Sequence, residues 1–179
     1  FNSLSDRYQE NLSHELRSVA VIGKLDVPYD VYRYTKDGIN YYFISCGELT
    51  REKLYGYRDD CQRYELYCYL ALDFIEKSGH KYDIIHSHDW LTGLVPYFMK
   101  NVFAKRSNHF MFTKTVFTIH NIHYQGICDV SDLAIISQFD SIPNEVMLFE
   151  KVNFMKTAIV TSDEVTTVSE TYCNEICYP

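Results

Sequence analysis

The chain has 179 residues, 46% of them apolar and 23% charged, with a formal net charge of −7. This supports one globular domain with a real core. The acidic balance argues against nucleic acid, which needs a basic stripe, and leaves open a neutral substrate such as a sugar polymer.

Phe1-Asn2-Ser3-Leu4 lacks the basic and apolar regions of a signal peptide, and without a start methionine it suggests a chain that begins mid-protein. Val31-Tyr32-Arg33-Tyr34 and Tyr41-Tyr42-Phe43-Ile44 flank Asp37-Gly38, a strong hairpin signal. From about Asp59 to Lys77 the spacing predicts a helix. Cys61, Tyr64, Cys68, Leu72 and Ile75 recur at three- and four-residue steps, giving one buried stripe, and Ser78-Gly79 stops it. Tyr82 to His88 reads as a buried strand, and Leu91 to about Ala104 as a helix with Pro96 in its early part. Thr115 to Ile119 reads as a second buried strand. Phe149 to Val160 reads as helix, Glu164 to Val168 as strand, and Ser169 as the N-cap of a last helix reaching Pro179. Strands alternating with helices predict an α/β fold with a mostly parallel sheet.

None of the six cysteines lies in the C-x-x-C spacing of a zinc or redox site. All six read as reduced, in a cytoplasmic setting, and mostly structural. Cys173 and Cys177 are four apart, but a zinc site needs two further ligands. No apolar run is long enough to cross a bilayer, so a membrane is not expected as a partner. The sixteen tyrosines read mainly as core or half-buried strand residues.

In an open α/β sheet, ligands bind beyond the carboxyl ends of the strands. One strand runs into His86-Ser87-His88-Asp89-Trp90 and the next into His120-Asn121-Ile122-His123-Tyr124-Gln125-Gly126. Parallel neighbours put both clusters on one rim, gathering four of the seven histidines and the single tryptophan. Plainer roles compete. His86 or His88 also reads as a core histidine bonded to backbone, Asp89 as a helix cap, and Trp90 as packing. His120 and Asn121 are harder to explain structurally, because a buried strand rarely ends in two hydrogen-bonding side chains unless something meets them.

The stretch Asp83-Ile84-Ile85-His86-Ser87-His88-Asp89-Trp90-Leu91-Thr92-Gly93-Leu94 resembles the D-x-x-H-x-H-D-W-x-x-x-L of bacterial glycogen synthases and plant starch synthases. Phe117 to Gly126 is similar to that family's F-T-x-H-N-x-x-Y-Q-G. Leu54-Tyr55-Gly56-Tyr57-Arg58-Asp59-Asp60-Cys61-Gln62-Arg63-Tyr64 resembles L-Y-G-Y-x-D-D-x-x-R-F. Asn153 to Lys156, with Val165 to Ser169 and Tyr172, resembles N-x-x-K followed by T-x-V-S-x-x-Y. The match spans nearly the whole chain.

The resemblance implies a Rossmann-like domain, one half of a GT-B type two-domain glycosyltransferase. Residues 1–179 would be part of its N-terminal, acceptor-side domain, truncated at both ends. The implied reaction is retaining transfer of glucose from ADP-glucose, or sometimes UDP-glucose, to the non-reducing end of an α-1,4-glucan. It proceeds by front-side attack assisted by the leaving phosphate. By the same resemblance His120 and Asp89 are catalytic, and Tyr55, His88, Trp90, Asn121, Tyr124 and Gln125 bind sugar. His120 would hold the donor glucose, Asp89 would lie beside the reacting centre, and Asn121 would support His120. A positively charged sugar ring in the transition state gains from such a carboxylate and from fixed donors. No cofactor or metal is expected. The implied partners are the glucan, the nucleotide sugar and the C-terminal domain of the same enzyme, in the cytoplasm or, in a plant, the plastid.

The chain departs from the family pattern in having no Gly-Gly pair, hence no Lys-x-Gly-Gly loop at the donor phosphates, and in Glu170, where many members have proline. The fragment is therefore expected to be inactive alone. Rival readings are a His/Asp metallohydrolase built on His-x-His with His120, His123 and Asp89, a non-catalytic glucan-binding protein of the same fold, and another two-domain glycosyltransferase.

Overall fold

The computed structural model describes residues 11–178; the leader and final-proline readings at Phe1-Asn2-Ser3-Leu4 and Pro179 fall outside them. The chain opens with an antiparallel sheet. β2 (Leu25–Lys36) and β3 (Ile39–Ser45) form the expected hairpin, with Lys36 opposite Ile39. Its two turn residues both take positive φ, Asp37 at 53° and Gly38 at 78°. That is the primed geometry matching strand twist, and it explains the Asp-Gly pair. β1 (Ser13–Ile22) adds to the outside of β2. This strand was not among the expected elements. Its inward residues Ala20 and Ile22 are buried, but the alternate Val19 and Val21 are apolar and exposed, which blurs the period-two signal.

α1 (Asp60–Ser78) follows, ending at Gly79 in the left-handed region. Tyr64, Cys68 and Leu72 of the expected stripe are buried, with Cys61 and Ile75 partly so. The opposite side is buried too, because the antiparallel sheet lies on it. Asp73, only 2% exposed, anchors that side. Its carboxylate accepts from Tyr29 Oη of β2 at 2.7 Å, Arg106 Nη2 at 3.1 Å and Lys77 Nζ at 2.8 Å. Arg106 stacks over the Phe103 ring at 3.9 Å.

The parallel sheet has the order β4 (Ile84–His88), β5 (Lys114–Ile119), β9 (Glu164–Thr167). Between β4 and β5, α2 (Val95–Phe98) runs through a π-helical stretch (Met99–Phe103) into α3 (Ala104–Arg106). Pro96 falls in the first turn, where its missing N–H costs nothing. Phe98, Phe103, Phe117 and Phe154 are fully buried and join the helices to the sheet; each contributes about 1.5–3 kcal/mol by burial. Asp163 sets the register of β9, its Oδ2 accepting from Thr115 N and Thr115 Oγ1, both at 2.8 Å. Burial works against the charge, but the Thr115 bonds and Lys100 hold the Asp163 carboxyl down at about 2.

A small sheet, β6 (Ile127–Cys128), β8 (Lys151–Asn153) and β7 (Met147–Leu148), lies between β5 and α4 (Phe154–Thr161). It corrects the expected helix start at Phe149. Phe149 and Glu150, at φ 49° and 65°, make a tight turn between β7 and β8. Neither residue type signals such a turn. The helix starts after Asn153, whose side chain accepts from Lys156 N at 2.8 Å. α5 (Glu170–Cys177) begins as expected at Ser169, which accepts from Tyr172 N at 3.1 Å. Among the described residues, no helix is long and apolar enough to cross a membrane.

Candidate active site

β4 and β5 run parallel with His88 opposite Thr118, so their carboxyl ends emerge side by side. Alternate residues share a face of a strand. That rule puts His86 and His88 of β4 on one face, beside Thr118 and the following His120. Across this face His86 Nε2 meets Thr118 Oγ1 at 2.6 Å, and Thr118 Oγ1 meets Thr166 Oγ1 of β9 at 2.7 Å. His86 is thus exposed and bonded to a hydroxyl, not buried and bonded to backbone as the core reading supposed. His86 and His88 rings lie 4.2 Å apart, and His88 Nδ1 approaches His120 Nε2 at 3.0 Å. That last contact needs one nitrogen with a proton and one without, so the pair holds at least one neutral ring. Burial lowers the His88 pKa below its ordinary value, and repulsion from His86 and His120 lowers it further against the pull of Asp89.

Asp89 connects the two strand ends. Its N–H donates to Thr118 O at 3.0 Å, while Oδ1 accepts from His120 N at 2.8 Å and Asn121 N at 3.2 Å. Its side chain makes no cap bond to the 3₁₀ turn that follows. Its backbone sits at φ 55°, ψ 179°, a conformation costly for any residue with a Cβ and one that clusters at functional sites. The carboxylate, the bent backbone and the two N–H groups form one unit that fixes where His120 leaves the sheet. Replacing Asp89 by asparagine should leave stability nearly unchanged, since the amide oxygen still accepts and Asn tolerates positive φ. Asp89→Ala should cost about 0.5–1.5 kcal/mol by removing the acceptor of the His120 and Asn121 N–H groups on the exposed rim. Urea unfolding of the two variants measures the difference, and equal midpoints would remove the strut role.

The loop after β5 is held from several sides. Asn121 Oδ1 accepts from His123 N at 3.0 Å, and Tyr172 Oη from Ile122 N at 2.9 Å. Gln125 Oε1 accepts from Asn153 Nδ2 at 2.7 Å, and Gln125 Nε2 donates to Ile122 O at 3.2 Å. Gly126 permits the turn, with φ 64°, and a Cβ there would lie 2.5 Å from the Trp90 ring. Trp90 itself is 9% exposed and packs edge-on against Tyr64 at 5.1 Å. Of the residues the resemblance assigns to sugar binding, Trp90 is withdrawn beneath the rim. Tyr124 is 55% exposed and faces Tyr55, 47% exposed, at 6.1 Å between ring centres.

Tyr55 is presented by a loop that its own motif ties together. Asp60 Oδ2 accepts from Gly56 N at 2.5 Å and Tyr57 N at 2.9 Å. Arg63 donates to Asp60 Oδ1 at 2.6 Å and to Leu54 O at 3.2 Å; Tyr64 Oη also donates to Leu54 O. Asp60, Arg63 and Tyr172 received no role from the sequence. Their position within the quoted motifs was the available signal. A hollow of about 440 Å³ opens beside His88, lined by Tyr42, Leu54, Tyr64, Tyr67 and Thr92 among others. Among the described residues, no group of three or more His, Cys, Asp and Glu side chains is arranged to hold a metal ion.

Residues 2–179 match the family model described as the starch synthase catalytic domain. A glycogen synthase of Finegoldia magna is 38% identical over 154 residues, covering 83% of this chain and 32% of that protein. One from Halalkalibacterium halodurans is 33% identical over 183 residues, covering 100% of this chain and 37% of its own. The chain thus spans about a third of the length of these relatives. Among solved structures, the catalytic domain of starch synthase IV from Arabidopsis thaliana, bound to ADP and acarbose, superposes with a TM-score of 0.80 at 28% identity. The match covers 94% of this chain and 36% of that one.

Proposed function

The chain belongs to the family of the starch and glycogen synthases, glycosyltransferases of the GT-B fold, and from that membership we propose that its rim is the acceptor-side half of a glucosyltransferase site. The reaction is transfer of glucose from ADP-glucose to the non-reducing end of an α-1,4-glucan, with retention. The observation that carries this reading is the junction at which Asp89 Oδ1 bonds His120 N at 2.8 Å, at the carboxyl ends of neighbouring parallel strands.

In this reading His120 donates a hydrogen bond to the donor glucose, with its ring oriented by His88. Asp89 brings negative charge beside the sugar ring as positive charge develops there. Tyr55 and Tyr124 present aromatic faces to successive glucose units, and Asn121 and Gln125 hold the loop that carries Tyr124. The diphosphate is gripped by parts outside residues 1–179, including a C-terminal domain of the same enzyme. No metal or cofactor is part of this reading. The setting is the cytoplasm, or the plastid in a plant.

Two measurements test this. The full-length protein should move labelled glucose from ADP-glucose onto maltooligosaccharides with retention, and failure with ADP-glucose and UDP-glucose alike would refute the assignment. The chain 1–179 alone should bind ADP-glucose weakly or not at all. Micromolar affinity in calorimetric titration would mean that the diphosphate site lies within these residues.

A further inference from the structure

The backbone of His88 is pinned by one side chain. Its N–H donates to Thr92 Oγ1 at 2.6 Å, and that hydroxyl donates to His88 O at 2.7 Å. Both bonds stop at the backbone, so the direction of the imidazole is set by what its ring touches. Nδ1 meets His120 Nε2 at 3.0 Å. The ring also lies against that of His86, with 4.2 Å between centres and 33° between planes. His86 is fixed in its turn. Its Nε2 meets Thr118 Oγ1 at 2.6 Å, and Thr118 Oγ1 meets Thr166 Oγ1 at 2.7 Å. Thr118 is buried on the central strand. One continuous line thus runs from β9 through β5 and β4 to the ring of His120.

We propose that His86 is a positioning residue of the glucosyltransferase site, a stop that holds the His88 ring against His120; this rests on the donor-sugar role of His120 proposed above. Asp89 bonds only the backbone N–H of His120 and leaves its ring direction open. His88 supplies that direction, and keeps its own while His86 backs it. The effect on rate follows from geometry, since a misplacement of about 1 Å at a reacting group can cost about 100-fold.

His86 acts on His88 by charge as well. The titratable and charged groups facing His88 are His86 on its own strand, Asp89 beside it, His120 from the end of β5, and across the hollow Arg63, Tyr64 and Tyr67 of α1 with Tyr42 of β3. Arg63 is taken up by Asp60 and Leu54 O. Burial, then repulsion from His86 and from His120, lower the His88 pKa, and Asp89 opposes them. A neutral His88 leaves one proton to bridge the pair, while two charged rings would present two donors to each other and part. Without His86 one of the two repulsions is gone, so His88 takes its proton at higher pH.

In the full-length enzyme, His86→Ala should lower kcat on the order of 10-fold, with KM for the glucan and the melting temperature nearly unchanged. Thr118→Val, which removes the hydroxyl that His86 bonds, should reproduce part of this loss. His86→Phe, which returns a flat ring without charge, should recover turnover above that of the alanine variant. In chain 1–179, the Cε1 proton resonance of His88 should titrate with its midpoint moved up by roughly half a unit in His86→Phe. Turnover in His86→Ala equal to the parent's, a loss that merely follows a fall in melting temperature, or an unmoved His88 midpoint would each overturn the proposal. A parent enzyme that transfers no glucose would sink the proposed function, and the role of His86 with it. An active parent with unaffected His86 variants would sink the role of His86 alone.

Discussion

In the full-length enzyme, His120→Ala should lower turnover by about 10²–10³-fold, the usual loss when one fixed donor is removed from a water-poor site. It should leave the melting temperature of the fold nearly unchanged. The two halves of this expectation rest on different atoms. The structural work at position 120 is done by the backbone: His120 N donates to Asp89 Oδ1 at 2.8 Å, and alanine keeps that bond. The ring stands exposed on the rim, with its Nε2 at 3.0 Å from His88 Nδ1, so truncation opens no cavity in the core. A stability role predicts the reverse pattern, with activity lost only in proportion to unfolding. Turnover per folded molecule and melting measured on the same variant separate them. Near-normal turnover would take His120 out of the site and remove the main support for the proposed chemistry.

The largest stability effect is expected far from the rim. Asp73→Ala should cost about 3–5 kcal/mol, the range for breaking a buried charge network from one side. In a chain of this size that lowers the melting temperature by roughly 6–20 °C. The carboxylate is 2% exposed and is the shared acceptor of Tyr29, Lys77 and Arg106. Removing it strands a buried phenol and takes the carboxylate from Lys77, while Arg106 keeps only its ion pair to Glu76 Oε2 at 2.5 Å. Tyr29 comes from the antiparallel sheet, Lys77 from α1, and Arg106 from α3, so the loss loosens three elements at once. Tyr29→Phe removes only one bond and should cost about 0.5–1.5 kcal/mol. If alanine prevents folding, Asp73→Asn, which retains an acceptor, supplies the comparison. A cost below about 1 kcal/mol for Asp73→Ala in urea unfolding would show that solvent or another side chain takes over the site.

The parallel strands and the long helix were legible because their signals are local. The apolar runs before His86 and His120, the three- and four-residue spacing of α1, and the Ser169 cap each depend on neighbours in sequence. The misses share a different cause. β1 carries apolar residues on both faces, and the Phe149-Glu150 turn uses residue types with no turn preference, so both depend on what packs against them. The cap reading of Asp89 failed for the same reason. Its side chain bonds backbone 31 and 32 residues away, and no spacing rule reaches so far.

The expected burial of the first strand is corrected, since Tyr82 and Ile84 are 40% and 58% exposed. By itself the sequence determined that two polar clusters follow two parallel strands, and that Tyr55, Tyr124, Asp89 and His120 sit in motifs of one enzyme family. These are properties of residue order, since side-chain type and local periodicity are written along the chain. Only the tertiary structure decided what each polar atom does. It turned the Asp89 carboxylate onto the β5 end, aligned His86, His88 and His120 across one face, and folded Asp60 and Arg63 under Tyr55. Each of these depends on parallel pairing and helix packing between distant segments, where a hydrogen bond forms or fails over a few tenths of an ångström.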